Sequence, residues 1–341
     1  MLKQLVNECL IHLHIIPEGP ILIKSGVATI SGPDMAFVKV WRNGREEVYL
    51  PGSSLKGMLR SHAERIARTL NQAAACDPFA KEGPTTFCGN CFEKIKHGKR
   101  DISEWLKPYE LFDPVKESDK LNQRIYADSC PICRLFGSTW YAGRLATADA
   151  YAVEDPPRPQ PRDGVGIDRF TGGSALGVKF DLEVVTEGYF ATTLHLRNFE
   201  LWQLGLVAFL LQDLKDGLLR IGASKSRGLG KVRSEIQQIK LYYLGRNVPE
   251  PPDGQFSLYG VGALAGQKMA ELYGMQPPYQ AMADLPEGVT LPPGLGLRTT
   301  YVFPGDSFPW GAVAPAWVDY AMAYPVPEAM AAIRGQAGGG G

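Results

Sequence analysis

Apolar and polar residues alternate in places through residues 4–16, the period of two expected of a half-buried strand. Pro17-Glu18-Gly19-Pro20 predicts a turn, Ile21–Lys24 continues extended, and Ser25–Pro33 reads as a Gly/Ser-bearing loop. Phe37–Trp41 and Glu47–Leu50 flank Arg42-Asn43-Gly44-Arg45, the pattern of a hairpin with an Asn-Gly turn. The period then changes. Leu55, Leu59, Ile66 and Leu70, with Ala63 and Ala67, recur at helical spacing and predict a helix that starts abruptly after Pro51 and runs to about Leu70. Residues 71–129 are polar and irregular, which predicts an insertion, and Pro156–Pro161 punctuates a second long loop. Lys179–Val185 and Ala191–Leu196 predict strands. Asn198 is placed to cap a helix from Phe199 to about Leu214, with Gly217 ending it. Leu218–Gly222 and Gly230–Leu244 predict two more strands around a glycine-rich loop. From Val248 onward Pro, Gly and Ala dominate and periodicity fades, although Tyr301, Phe303, Phe308, Trp310, Trp317 and Tyr320 supply aromatic surface for packing.

A chain of 341 residues with 45% hydrophobic residues can bury a large core. No apolar run reaches membrane-span length, and the first residues lack a signal-peptide pattern, so a cytoplasmic protein is expected. The net charge of zero conceals an asymmetry. Residues 250–341 hold three Lys/Arg and eight Asp/Glu, which leaves 36 − 3 = 33 basic and 36 − 8 = 28 acidic residues in 1–249. A mildly basic body with an acidic tail suits a polyanion partner.

Three stretches carry candidate chemistry. Pro51-Gly52-Ser53-Ser54-Leu55-Lys56-Gly57-Met58-Leu59-Arg60 turns a loop into a helix whose first amides and positive dipole end attract anions, and it adds two hydroxyls and two cations there. Gly222-Ala223-Ser224-Lys225-Ser226-Arg227-Gly228-Leu229-Gly230-Lys231 has cations among glycines that permit close backbone approach. Its spacing does not fit a P-loop, and alone it reads equally as a solvated hairpin turn. Together the two stretches favour an extended phosphate chain over a nucleotide. Third, Cys88-x-x-Cys91 and Cys130-x-x-Cys133 supply four thiolates at zinc-site spacing, a closed structural site with no open position for water. Buried free thiols and a disulfide are the other readings, and Cys76 and His97 are spare ligands.

In this order and at these separations, Leu50–Gly57, Cys130-Pro131-Ile132-Cys133-Arg134-Leu135-Phe136-Gly137 and Gly222–Gly230 resemble the RAMP superfamily of CRISPR–Cas proteins, over roughly residues 1–245. The similarity is greatest to the repeated backbone subunit of type III effector complexes. It implies an α+β, RRM-like (ferredoxin-like) core, an antiparallel sheet with helices on one side, in a body spanning 1–247. That body would carry a zinc-stapled insertion (71–133) and a thumb-like hairpin (155–180), followed by an irregular extension (248–341). It implies a guide crRNA, a target RNA, further copies of itself or related RAMP subunits, and other effector subunits as partners. The RNA contacts would come from Ser53, Ser54, Lys56, Arg60, Arg169, Phe170, Gly222, Lys225, Ser226, Arg227, Gly228 and Lys231. Phe170 reads either as a wedge against a base or as a core residue at the hairpin root.

In cleaving members an acid precedes the helix-start motif, and Asp34 in Ser31-Gly32-Pro33-Asp34 matches that position. A carboxylate there would take the target's 2′-hydroxyl proton or hold Mg²⁺ or Mn²⁺, making the chain a metal-dependent endoribonuclease. Taken alone, Asp34 also reads as a turn cap. Asp128, Asp163 and Asp168 are further acids near these loops. A non-catalytic or capping RNA-binding subunit and a zinc-stapled small-molecule enzyme are the competing expectations.

Overall fold

Strand β1 (Asn7–Pro17) buries alternate residues: Cys9, Ile11, Leu13 and Ile15 face the core, while Glu8, Leu10, His12 and His14 line the opposite, half-buried face. The computed structural model describes residues 4–26, 32–80, 88–89, 117–245 and 255–325. β2 (Lys39–Arg42) and β3 (Arg45–Leu50) form the expected hairpin, with Asn43 and Gly44 both at positive φ, as a type I′ turn requires. Helix α1 (Gly52–Leu70) follows and buries Leu55, Leu59, Ala63 and Ala67. After it come α2 (Glu117–Asp128) and α3 (Pro131–Phe136), then the short strands β4 (Gly137–Ser138), β5 (Tyr141–Ala142), β6 (Leu145–Thr147) and β7 (Ala150–Ala152). β8 (Gln160–Ile167) and β9 (Ser174–Val184) make a separate two-stranded hairpin, and β10 (Phe190–Arg197), α4 (Leu201–Lys215) and β11 (Val232–Leu244) return to the body.

The fold is α+β. Its main sheet pairs antiparallel throughout, in the order β14-β11-β1-β10-β7-β3-β2 with β6 also beside β10, where β14 is Arg298–Pro304. β1 lies centrally between β10 and β11. α1 and α4 meet through His62 and Asp213, whose ring nitrogen and carboxylate are 2.6 Å apart.

Two details differ from the pattern-based expectation. Glu200, not Asn198, caps α4: its side chain accepts from the Gln203 amide while Gln203 reaches back to the Glu200 amide, a reciprocal capping box. Asn198 instead takes a left-handed turn at φ 48° and bonds Val6 N–H and the Gln4 carbonyl, tying β10 to the start of β1. Residues Leu218–Gly222 make only one isolated bridge, Arg220 to Lys231, because the positive-φ glycines at 217 and 222 keep the segment from extending.

The C-terminal extension is also more regular than its composition predicts. β12 (Gln255–Tyr259) pairs with β13 (Gln280–Asp284), and α5 (Val261–Ala265) and α6 (Gln267–Leu272) lie between them. β14 adds to the edge of the main sheet, and α7 (Ala314–Ala323) packs on α4. The aromatic residues account for this. Tyr301 and Phe303 on β14 interlock with Phe256 at ring distances of 4.8 and 5.3 Å, and Trp202 on α4 stacks on Tyr320 at 4.5 Å. Gly205 lets α7 approach: a Cβ there would sit 2.4 Å from the Val313 carbonyl oxygen.

A buried charge fastens these parts together. Arg134 on α3 is 2% exposed and donates to Glu200 Oε1 at 2.6 Å, to the Tyr320 hydroxyl at 2.8 Å and to the Gly274 carbonyl at 3.2 Å. Tyr126 donates to the same Glu200 oxygen at 2.9 Å and lies under the guanidinium. Removing one partner of a buried ion pair costs about 3–5 kcal/mol because the other charge stays buried. Arg134→Ala should therefore lower unfolding stability by about that much in urea titration, and Arg134→Met combined with Glu200→Gln should be less destabilising than the single Arg134→Ala change.

Candidate nucleic-acid interface and metal centre

α1 begins at Pro51, which offers no side-chain cap, and has no acidic residue in its first turn. The body supplies one partner: the Gly52 amide donates to Asp149 Oδ1 at 2.7 Å, and the Thr147 hydroxyl donates to the Gly52 carbonyl at 2.7 Å. Only glycine fits there, since a Cβ would lie 2.6 Å from the Thr147 carbonyl oxygen. Ser53 is exposed at the next position, and Ser54 and Lys56 are half-buried. Burial, and then the charge of Arg60, hold the Lys56 ammonium below its usual pKa, so an anion would find an under-compensated cation there.

The glycine loop packs against residues 20–23. Ala223 N–H donates to the Leu22 carbonyl and Gly230 N–H to the Pro20 carbonyl, both at 2.8 Å. A Cβ at Gly222 would lie 2.0 Å from the Leu22 oxygen and one at Gly230 2.4 Å from the Ile221 oxygen, so both glycines are demanded by close approach. Between them Lys225, Ser226, Arg227 and Gly228 are exposed on a single 3₁₀ turn. The Lys225 pKa is lowered by burial and by Arg65, which places the loop's cation beside α1. Lys231 points elsewhere, paired with Glu18 at 3.0 Å.

The hairpin β8–β9 stands off the main sheet. Phe170 sits in its tip turn, fully exposed, with Arg169 exposed beside it. The turn is closed by Asp168, whose carboxylate accepts from the Phe170 amide at 2.8 Å. The core alternative for Phe170 is thus excluded. At the hairpin's root, Met35 bridges to Leu182, and the exposed Asp34 accepts the Asp181 amide on Oδ2 at 3.1 Å. The other acids are engaged: Asp128 with Arg124 at 2.6 Å, Asp163 with Lys179 at 3.1 Å, and Asp168 in the tip turn.

Four thiols meet behind α1. Cys76, Cys88, Cys130 and Cys133 are all buried, with sulfurs within 4.8 Å of one another. Zn–S bonds of about 2.3 Å in a tetrahedron place sulfurs about 3.8 Å apart, so this set can hold a zinc ion. Cys91 lies outside the described residues, as does His97; the fourth thiol in the described set is Cys76, from the chain just after α1. CxxC spacing favours Cys91 and leaves Cys76 as a spare ligand, and it is this spare thiol that joins the described set. Hydrogen bonds from Cys133, Cys76 and Cys88 hold the Cys130 thiol well below its usual pKa despite complete burial.

Arg60 belongs to this cluster more than to the helix start. Its Nη2 donates to Cys133 Sγ at 3.6 Å, its Nη1 to the Gly137 carbonyl at 3.1 Å and its Nε to Glu64 at 3.1 Å. Burial opposes its charge, but the Cys133 and Glu64 partners raise its pKa overall.

The sequence profile of the RAMP superfamily matches residues 15–233. The chain belongs to the RAMP superfamily of CRISPR–Cas proteins. No curated protein matches it. The matched span runs from β1 to the start of β11 and takes in the α1 start, the β8–β9 hairpin and the glycine loop. Membership supports a CRISPR-associated RNA-binding subunit, for which RNA and protein partners are plausible. Among the described residues, no helix of this RAMP protein is long and apolar enough to cross a membrane.

The thiol geometry has a direct consequence. Cys76→Ser should release bound zinc from the purified protein, measured by chelator-linked absorbance; full zinc retention in the variant would remove Cys76 from the ligand set. Arg60→Ala should speed zinc loss by about tenfold or more, since hydrogen-bonding neighbours of ligands typically change metal affinity by about 10–100-fold.

Proposed function

We propose that this RAMP protein is a backbone subunit of a type III CRISPR effector complex that holds guide crRNA and cleaves paired target RNA through Asp34. The observation that carries the reading is the meeting of the glycine loop with the β8–β9 hairpin. In the exposed turn Lys225–Arg227, the Arg227 guanidinium carbon lies 5.7 Å from the Phe180 ring centroid on β9, and Lys225 stands near Arg65 in the second half of α1. Ser53, Ser54, Lys56, Lys225, Ser226, Arg227 and Gly228 would grip the guide's phosphates, and Arg169 and Phe170 at the hairpin tip would meet the duplex.

The core supports the same reading. β1, α1, the β6–β7 segment, β10, α4 and β11 follow one another in the chain, and the strands lie in the spatial order β11-β1-β10-β7. This order supports reading the core as a ferredoxin-like, RRM-type unit, with β14 and the β2–β3 hairpin added at the two edges.

Cleavage would use the target's own 2′-hydroxyl. A kinked target brings that oxygen in line with phosphorus, and positioning lowers much of the barrier. Asp34 is exposed and accepts one amide on Oδ2, and its carboxylate would accept the hydroxyl proton. Products would be a 2′,3′-cyclic phosphate and a 5′-hydroxyl. Among the described residues the four cysteines are the only cluster of three or more metal-ligating side chains, so Mg²⁺ or Mn²⁺ would have to be held by Asp34 together with substrate phosphates. The four thiols would hold zinc in a structural role. A non-catalytic capping subunit is the second reading, favoured by β14, which occupies an edge of the sheet.

In the reconstituted complex, Asp34→Asn should abolish target cleavage with binding unchanged, read by gel assay and filter binding separately; full cleavage by the variant would remove Asp34 from catalysis. Crude affinity for RNA should fall steeply with salt, and Lys225→Ala should make the log–log slope shallower by about one without changing sequence preference.

A further inference from the structure

Arg144, between β5 and β6, is a buried cation without a counter-charge beside it. It is 4% exposed and forms no ion pair among the described residues. Its Nε makes one long contact with the Tyr126 hydroxyl at 3.5 Å, and its Nη2 is buried without a hydrogen-bond partner. The backbone holds it in place. The Arg144 carbonyl accepts the Arg197 amide at 3.0 Å, and a Cβ at Gly143 would lie 2.3 Å from the Phe136 carbonyl carbon, so this turn is pressed against the end of α3. A guanidinium kept out of water in this way needs a negative field from elsewhere in the fold.

Glu200 alone does not supply it. Arg134 and Arg144 each stand 4.7 Å from the centroid of the Tyr126 ring, and Glu200 is already paired with Arg134 at 2.6 Å. The same imbalance recurs on the α1 side of the thiols. Arg60 reaches Cys133 Sγ at 3.6 Å and Arg68 donates to the Cys76 carbonyl at 2.8 Å, while Glu64 is the one carboxylate they share, at 3.1 and 3.7 Å. Arg124 and Asp128 on α2 answer each other at 2.6 Å. Four guanidiniums thus border the cluster against two free-standing carboxylates, a surplus of two positive charges among the described residues.

Four neutral thiols would leave that surplus unmet. A thiol that coordinates zinc is deprotonated, and Zn²⁺ held by four thiolates carries two net negative charges, equal to the surplus. The charges share one interior: the Tyr320 hydroxyl feels both Arg134 and Cys130, and the Tyr141 hydroxyl both Tyr126 and Cys133. At such depth charges act on one another well beyond hydrogen-bond distance.

We propose that Arg144, although it bonds none of the four cysteines, is a positioning residue for the metal centre, its uncompensated charge retaining zinc in the tetrathiolate site. The inference rests on the zinc reading of the four thiols and is independent of the RNA-binding reading. It also couples the metal to the rest of the fold. Without the ion, Arg134 and Arg144 face each other across Tyr126 with Glu200 alone between their charges.

The test uses the full-length, zinc-loaded protein challenged with excess chelator. Arg144→Met should lose zinc about tenfold faster than wild type, and Arg144→Lys, which restores the charge, should lose it within about threefold of the wild-type rate. Cobalt substituted for zinc should give the same thiolate-to-metal absorption in wild type and Arg144→Met, showing that the ligand set is unchanged. Glu64→Gln should act in the opposite direction and slow zinc loss, since it removes a negative charge while keeping an acceptor for Arg60; this variant leaves Arg144 in place and tests the charge balance on its own. Wild-type zinc retention in Arg144→Met, equally fast loss from Arg144→Lys and Arg144→Met, or faster loss from Glu64→Gln would overturn the proposal. A wild-type chain that binds no zinc would overturn the zinc reading itself, and the role of Arg144 with it.

Discussion

An arginine that is 2% exposed needs its charge met inside the protein, and the way the Arg134 charge is met fixes the relation of the protein's parts. Its charge meets Glu200, which is also the cap of α4, so the ion pair and the helix start are one arrangement. Its Nη1 and Nη2 also reach Tyr320 and Gly274 in the C-terminal extension. The same short helix α3 that presents Arg134 begins with Cys130 as its cap and carries Cys133 one turn on. A shift of α3 would therefore break the thiol cluster, uncap α4 and loosen the extension together. Buried ion pairs add little net stability over a well-packed apolar substitute. What this one contributes is a single permitted geometry for three converging segments.

The cluster passes that geometry on to α1. Arg60 spans from Cys133 and Gly137 to the middle of the helix, and Asp149 and Thr147 hold the helix start. The start of α1 is thus located at two points along its length by groups from outside the helix. A phosphate grip benefits from this. Amides and a half-buried lysine act on an anion only while they point at one place, and preorganised groups lose less freedom on binding.

Most of the scaffold was legible because its signals are local. The alternation in β1, the Asn43-Gly44 turn and the 3.6-residue period of α1 each lie within one segment, and each formed as the pattern requires. The misses share a different cause. Cys76 has no CxxC partner of its own, so spacing rules built on CxxC pairs left it a spare ligand, and only the fold brings it to the other thiols. Arg60 read as a phosphate ligand because it follows one turn after the helix-start motif, yet its guanidinium bonds Cys133 and the Gly137 carbonyl. The extension read as irregular because its order comes from aromatic contacts with β11 and α4, not from a period of its own. Asn198 was a reasonable cap by residue type, but the Glu200–Gln203 pair satisfies two amides at once.

The arrangement also explains why the glycine loop must be exact in backbone and loose in side chain. Gly222 and Gly230 are set against the carbonyls of Leu22 and Ile221 with no room for a Cβ, so the two ends of the loop are fixed. Between them Lys225, Ser226 and Arg227 project outward from left-handed residues Ser224 and Gly228. A rigid frame with exposed cations suits a partner whose phosphates recur at regular distances while its bases vary, because the frame sets the position and the side chains absorb local differences. A small-molecule enzyme would need the reverse, a closed pocket with fixed side chains. The exposed Lys225–Arg227 turn beside the β8–β9 hairpin is therefore better matched to a continuous strand than to a compact substrate.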